Sequence, residues 1–204
     1  MNLFVANQLP EGVVLLPGVA RDPAILDAVN AVIAAAPLRT MVTPRGPMSV
    51  RMTNCGRLGW VSDADGYRYS LVDPMTRHPW PAMPAALSTL AQRCAADAGF
   101  APFDPDACLV NQYVPGAQMG LHQDRDELDF SQPIVSVSLG LPARFTIGGD
   151  TRKHPTFDLD VEHGDVVVFG GPARRMYHGV KRLAPGHHPA LGPQRLNLTF
   201  RRAG

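Results

Sequence analysis

Arg195-Leu196-Asn197-Leu198-Thr199-Phe200-Arg201 alternates polar and apolar residues over seven positions. Side chains of a strand point to opposite faces in turn. Leu196, Leu198 and Phe200 therefore share a core face, and Arg195, Asn197, Thr199 and Arg201 share the other. Two arginines and an asparagine on one strand face suit a dicarboxylate, because arginine grips carboxylates bidentately and keeps its charge at any working pH. A polar edge turned to solvent would carry the same pattern, and the strand by itself does not choose.

Upstream of this strand the same punctuation recurs. Segments 107–114, 134–141, 144–147, 156–161 and 166–169 read as strands, separated by turns such as Gly148-Gly149 and Gly164-Asp165. Many short strands favour a sandwich or barrel, and twenty prolines and nineteen glycines spread through 204 residues fit that better than a helical bundle. In 107–114, Leu109, Asn111 and Tyr113 share a face; Asn111 and Tyr113 are either satisfied core polars or ligand contacts.

The first half is mixed. Val13-Val14-Leu15-Leu16 reads as a strand. Asp22-Pro23 opens a helix with a cap and a proline at its first position, Ile25, Val29, Val32 and Ile33 give it an apolar stripe, and Pro37 ends it. A second helix is expected over 84–98, burying Leu87, Leu90, Ala91 and Cys94, with Gly99 just past its end. Residues 40–80 show no strong periodicity and are expected to be irregular. Trp60, Tyr67, Tyr69 and Trp80 within them argue for order and a functional segment.

With 45% apolar and 18% charged residues, the chain has the composition of one ordered globular domain. Three cysteines without a Cys-x-x-Cys pair argue against a zinc knuckle or a disulfide framework and for a reducing compartment. The apolar run at 13–16 stops at Pro17, and no stretch approaches the length of a membrane span. The expectation is a cytoplasmic protein without a membrane partner. The net charge of +1 is unevenly spread: residues 139–204 hold 10 Lys+Arg against 5 Asp+Glu, and residues 1–138 hold 9 against 13. A basic third is either a footprint for a phosphate backbone or solvated charge.

The chemistry centres on Leu121-His122-Gln123-Asp124-Arg125-Asp126. In extended chain His122 and Asp124 project from one face, supplying two thirds of the two-histidine, one-carboxylate set that holds non-haem Fe(II). Alone, such a triplet is weak. His178, in Tyr177-His178-Gly179 after the apolar 166–169 strand, is the best third ligand. His163 and the His187-His188 pair compete from loops, and His78 and His154 are placed without a carboxylate partner. The set runs His122-x-Asp124, 53 residues, His178, 16 residues, Arg195.

That order, from about Thr40 to the C-terminus, resembles the AlkB type of Fe(II)- and 2-oxoglutarate-dependent nucleic-acid dealkylating dioxygenases. The likeness is carried by Met52-Thr53-Asn54-Cys55-Gly56, Leu58-Gly59-Trp60, Trp80-Pro81-Ala82-Met83-Pro84 and Pro105-Asp106-Ala107-Cys108-Leu109. It continues through Leu121-His122-Gln123-Asp124, Ile134-Val135-Ser136-Val137-Ser138-Leu139-Gly140-Leu141-Pro142, His163-Gly164-Asp165-Val166-Val167-Val168 and the 195–201 strand.

The resemblance implies a mainly β fold with flanking α-helices, a double-stranded β-helix (cupin-like jelly roll). Residues 1–100 would supply the helices and a nucleotide-recognition lid packed on the core of the same domain, and residues 101–204 the β-helix. It implies Fe(II) on His122, Asp124 and His178, and 2-oxoglutarate on Arg195 and Arg201, aided by Asn111, Tyr113 and Asn197, with O₂ as the second cosubstrate. Trp60 and Tyr67 match base-pocket aromatics, with His178 available for the opposite face. Asp126 matches a carboxylate facing the damaged base's exocyclic amino group, and Arg152 a basic residue near the substrate. The implied reaction is oxidative demethylation of N-alkylated bases such as N1-methyladenine and N3-methylcytosine, releasing succinate, CO₂ and formaldehyde. The implied partner is alkylated single-stranded DNA, with RNA and double-stranded DNA as further substrates, acted on by a monomer. The chain departs from the pattern in the 43–48 lid loop, one residue shorter with Pro47 near the place of an aromatic. Gln112 replaces a basic residue and Phe169 a tryptophan. A dioxygenase of proteins or small molecules, and a non-catalytic metal-binding jelly roll that binds nucleic acid, are the competing readings.

Overall fold

The computed structural model describes residues 9–43 and 46–204. In chain order the elements are β1 (Val13–Leu16), α1 (Pro23–Ala35), β2 (Arg39–Thr43), β3 (Gly46–Gly56), β4 (Gly59–Asp63), β5 (Gly66–Ser70) and α2 (Ala85–Asp97). The second half holds β6 (Ala107–Tyr113), β7 (Met119–His122), β8 (Ile134–Gly140), β9 (Ala143–Gly148), β10 (Phe157–Val161), β11 (Val166–Phe169), β12 (Tyr177–Val180) and β13 (Arg195–Arg201). They form a seven-stranded sheet ordered β1-β11-β8-β13-β6-β3-β2, a four-stranded sheet ordered β10-β9-β12-β7, and the separate hairpin β4-β5. The two larger sheets make the jelly roll, and the first hundred residues contribute β1, β2 and β3 to its major sheet.

β13 lies between β8 and β6, with Asn197 opposite both Ser138 and Asn111. All seven of its residues are buried. Leu196, Leu198 and Phe200 pack under α1 and α2 with Val29, Leu87 and Cys94. The other face looks across at the minor sheet, where Phe145, Ile147 and Val180 belong to a second apolar cluster that Phe169 of the major sheet joins. A central strand covered on both faces cannot be a solvent edge, so the polar face of β13 is an interior one.

The helices form as their sequence dictates. Asp22 accepts a hydrogen bond from the Ala24 amide at 2.9 Å, Pro23 occupies the first turn, and Ile25, Val29 and Val32 are buried while Ile33 is only partly so. In α2, Leu87, Leu90, Ala91 and Cys94 are buried as the spacing predicts. Gly99, at φ +84°, ends the helix in the left-handed conformation that glycine adopts without strain.

Residues 40–80, expected to be irregular, instead contain most of β2 and all of β3, β4 and β5. β3 is flanked by β2 and β6, and Met52, Thr53, Asn54 and Cys55 are buried in succession. A strand covered on both faces loses the alternation that would betray it. In the β4-β5 hairpin Trp60 is opposite Tyr69 and Ser62 opposite Tyr67, and Gly66 leaves the turn at φ +98°. Of the 43–48 loop whose shortening was noted, Pro44 and Arg45 lie outside the described residues, and Gly46 and Pro47 open β3. Among the described residues no helix is long and apolar enough to cross a membrane.

Candidate metal centre and substrate cleft

Pairing of β7 with β12 sets His122 directly opposite His178 in the minor sheet, their rings 4.4 Å apart between centroids. Asp124 follows β7 by two residues. One of its oxygens lies 3.7 Å from His122 Nε2, and the other 3.8 Å from His178 Nε2. Each imidazole is held by its own strand: His122 Nδ1 donates to the Gly120 carbonyl at 2.9 Å and His178 Nδ1 to the Met176 carbonyl at 3.1 Å. A carbonyl can only accept, so the proton sits on Nδ1 and Nε2 keeps its lone pair for a metal. Burial, then the neighbouring His122, pushes His178 down to about 4, so it is neutral at physiological pH. Burial opposes the Asp124 charge, but Arg201, His178 and His122 outweigh it and hold the carboxyl ionised. Two imidazoles and one carboxylate, converging within 4.8 Å of one another, fit a divalent iron. Among the described residues this is the one such group of three. The competing histidines lie elsewhere. His163 and His188 meet each other with tilted rings 4.5 Å apart, and His154, expected without an acidic partner, pairs with Asp150 at 2.8 Å.

Behind the histidines lies a narrow pocket walled by Asn111, Tyr113, Asn197 and Arg201. Arg195 stacks on the Tyr113 ring at 5.1 Å and donates from Nη2 to Ser138 Oγ at 3.0 Å. Its Nε and Nη1 are buried without a partner, as is Asn111 Oδ1. Burial works against the Arg195 charge and only Tyr113 offsets it. Orphaned buried donors on a cation call for an anion, and a carboxylate end of 2-oxoglutarate is one. Asn197 is already satisfied: Nδ2 donates to Ser136 Oγ and the Val137 carbonyl, and Oδ1 accepts from Asn111 and Thr199. Arg201 reaches the pocket wall but is engaged there, donating from Nε to Asp124 at 2.8 Å with Nη2 2.7 Å from the same oxygen.

On the outer side His122 and Asp124 form the floor of a cleft of about 390 Å³. Trp60 and Tyr67 from the hairpin stack nearly parallel at 5.6 Å on its rim, and Trp60 Nε1 donates to Asp126 at 2.8 Å. Arg152 lines the same cleft with its guanidinium over the Tyr177 ring at 5.2 Å. The four residues expected near a substrate therefore meet in one place. His178 does not line this cleft; His122 does, so His178 is not positioned as the opposite face of a base sandwich. It is buried between Phe145, Phe169 and His122 instead.

The model of the 2OG-Fe(II) oxygenase superfamily matches residues 12–201. The alpha-ketoglutarate-dependent dioxygenase AlkB of Escherichia coli is 53% identical over 199 residues, covering 96% of this chain and 92% of its own. The chain belongs to the AlkB branch of the 2OG-Fe(II) oxygenases. The AlkB homolog of Caulobacter vibrioides is 49% identical over 187 residues, covering 91% of this chain and 83% of its own. The solved structure of OsALKBH1 superposes with a TM-score of 0.82 at 30% identity, covering 96% of this chain and 98% of that one. As a member of this family the protein is a dioxygenase that uses Fe(II), 2-oxoglutarate and O₂.

The dioxygenase site also contains residues that the sequence did not single out. Glu127 is buried, accepts from Tyr69 Oη at 2.6 Å and Arg174 Nη2 at 3.1 Å, and lies 3.3 Å from Arg201 Nε. It ties the β4-β5 hairpin to the arginine that holds Asp124. Its one sequence signal was a third acid directly after Asp126, which without its distant partners reads as surface charge.

Proposed function

We propose that this dioxygenase reverses N-alkylation of nucleic-acid bases, with N1-methyladenine and N3-methylcytosine as substrates and single-stranded DNA as the preferred polymer. RNA and double-stranded DNA are further substrates. The observation that carries this is the Trp60–Tyr67 stack, with Asp126 beside it, over a cleft whose floor is His122 and Asp124. Both methylated bases are cationic at neutral pH, and aromatic faces beside a carboxylate are the surroundings a flat cation prefers. A base reaches such a cleft only by leaving its stack, which costs least when it is already unpaired.

In this assignment His122, Asp124 and His178 hold Fe(II). Arg195, Tyr113 and Asn111 take the far carboxylate of 2-oxoglutarate, and Arg201 with Asn197 lines the near end. With both bound, O₂ converts 2-oxoglutarate to succinate and CO₂ as the base's N-alkyl carbon is hydroxylated, and that carbon leaves as an aldehyde, formaldehyde for methyl. Trp60 and Tyr67 orient the base by stacking, and Asp126 exchanges its bond to Trp60 for one to the exocyclic amino group. Arg152 answers the phosphate backbone. The β4-β5 hairpin is the recognition lid, and the strands after residue 100 carry the chemistry. Three free, buried cysteines fit a reducing, cytoplasmic compartment.

The test is anaerobic loading with Fe(II) and 2-oxoglutarate, then O₂ and an oligonucleotide carrying one N1-methyladenine. Equal yields of succinate and formaldehyde, dependent on the methyl group, are expected. Succinate without formaldehyde would move the substrate to a protein or a small molecule.

A further inference from the structure

Beside the cleft lies a second groove, walled by Gln123, Arg125, Phe130, Asp150 and Arg175. Gln123 and Arg125 belong to both. Two more chain segments pass through both hollows at a spacing of two residues: Arg152 and Tyr177 line the cleft where Asp150 and Arg175 line the groove. The two are consecutive stations of one channel, with the base cleft at one end.

The groove's chemistry differs from its surroundings. Phe130 is 37% exposed, and the guanidiniums of Arg174 and Arg175 stand 5.2 and 5.9 Å from its ring centroid. Arg174 is buried and anchored to Glu127, so one of the ring's two cations is fixed in place. Arg125 and Arg175 are exposed, and among the described residues neither has a carboxylate within salt-bridge distance. Arg125 donates to Gln123, whose amide donates to the Arg175 carbonyl, so one short relay links both to the same wall. The one acid of the groove, Asp150, is already paired with His154. An exposed aromatic ring in a groove that also holds two arginines without carboxylate partners is a combination that suits a base and its phosphate together.

Resting on the proposed activity toward nucleic acid, we infer that this groove is a second nucleotide subsite. It takes the undamaged nucleotide next to the lesion, stacking its base on Phe130 and setting its phosphates against Arg125 and Arg175. The substrate class is thereby narrowed from a modified nucleotide to a strand of at least two. Recognition of the neighbour is sequence-tolerant, because every base offers a π face.

The experiment measures binding by the full chain, loaded anaerobically with Fe(II) and 2-oxoglutarate. The probes are N1-methyldeoxyadenosine 5′-monophosphate, a pentanucleotide with the same lesion at its centre, and pentanucleotides with an abasic residue on one or the other side. The wild-type protein should prefer pentanucleotide to mononucleotide by about tenfold or more, and lose about that factor for an abasic site on one side only. Phe130→Leu keeps the apolar packing under Arg174 but removes the π face. It should lower the ratio of pentanucleotide to mononucleotide affinity by a similar factor and be indifferent to the abasic replacement. Arg175→Ala should reduce the slope of log affinity against log salt by about 0.7, the share of one phosphate on a single strand.

The subsite is overturned if abasic replacement on either side costs the wild-type protein nothing, or if Phe130→Leu weakens both probes equally. It is also overturned, together with the activity it rests on, if methylated and unmethylated pentanucleotides bind alike and no formaldehyde forms on admitting O₂. Methyl-dependent turnover without any Phe130 effect would remove the subsite alone.

Discussion

Arg195 and Arg201 share one face of β13, both buried, and their settings are opposite. Arg201 is closed on both sides by protein carboxylates, Asp124 at 2.7 Å and Glu127 at 3.3 Å. Arg195 has no carboxylate partner among the described residues: it has an aromatic ring, one serine hydroxyl, and two nitrogens without a partner. A buried charge is costly until it is paired, so Arg195 is the one still open to a ligand anion. In the proposed assignment Arg195 takes the far carboxylate of the cosubstrate, and Arg201 braces Asp124 while lining the near end, with Asn197 and Thr199 hydrogen-bonded between them.

Four substitutions would break or sharpen that contrast. The largest effect is expected from Asp124→Ala, which removes a metal donor and Arg201's partner together. Turnover should fall to background, a loss of about a thousandfold or more, read as succinate released per Fe(II). Next is Arg201→Met, which takes the guanidinium from buried Asp124 while Glu127 keeps Arg174 and Tyr69. It should cost about 3–5 kcal/mol of stability, seen as a lowered midpoint in urea. Arg195→Met should do the reverse, leaving the midpoint near the wild-type value or raising it. The KM for 2-oxoglutarate should rise by about tenfold to a hundredfold, the worth of a charge-assisted bond of about 1.5–3 kcal/mol, and thermal stabilisation by added 2-oxoglutarate should disappear. If the two arginine variants behave alike, the distinction drawn here is wrong. The smallest effect belongs to Tyr69→Phe, which removes one hydroxyl from Glu127. A loss of about 1 kcal/mol is expected in the same urea titration, with KM for 2-oxoglutarate unmoved.

How far each part was legible in the sequence follows from the same physics. β13 could be read because its two faces differ in polarity. That its polar face is interior could not, since burial depends on strands that pair with it from 55 to 94 residues away. β3 escaped notice because Met52 through Cys55 are covered on both sides, which erases the period-2 signal. His122 and Asp124 were visible through local spacing, whereas His178 is fixed by a cross-strand register that no local pattern carries. Glu127 was invisible for the same reason: Arg174 and Tyr69 lie 47 and 58 residues away.

The two imidazoles have a last consequence. Each ring is oriented by the carbonyl two residues before it, so both turn Nε2 toward Asp124. Two imidazoles and a carboxylate also suit the later first-row divalent metals, and by donor type alone cobalt, nickel or copper would bind them at least as tightly as iron. Which ion occupies the enzyme is then decided by the cell's free-metal supply, and an excess of nickel or cobalt becomes an inhibitor of the enzyme without touching its substrates.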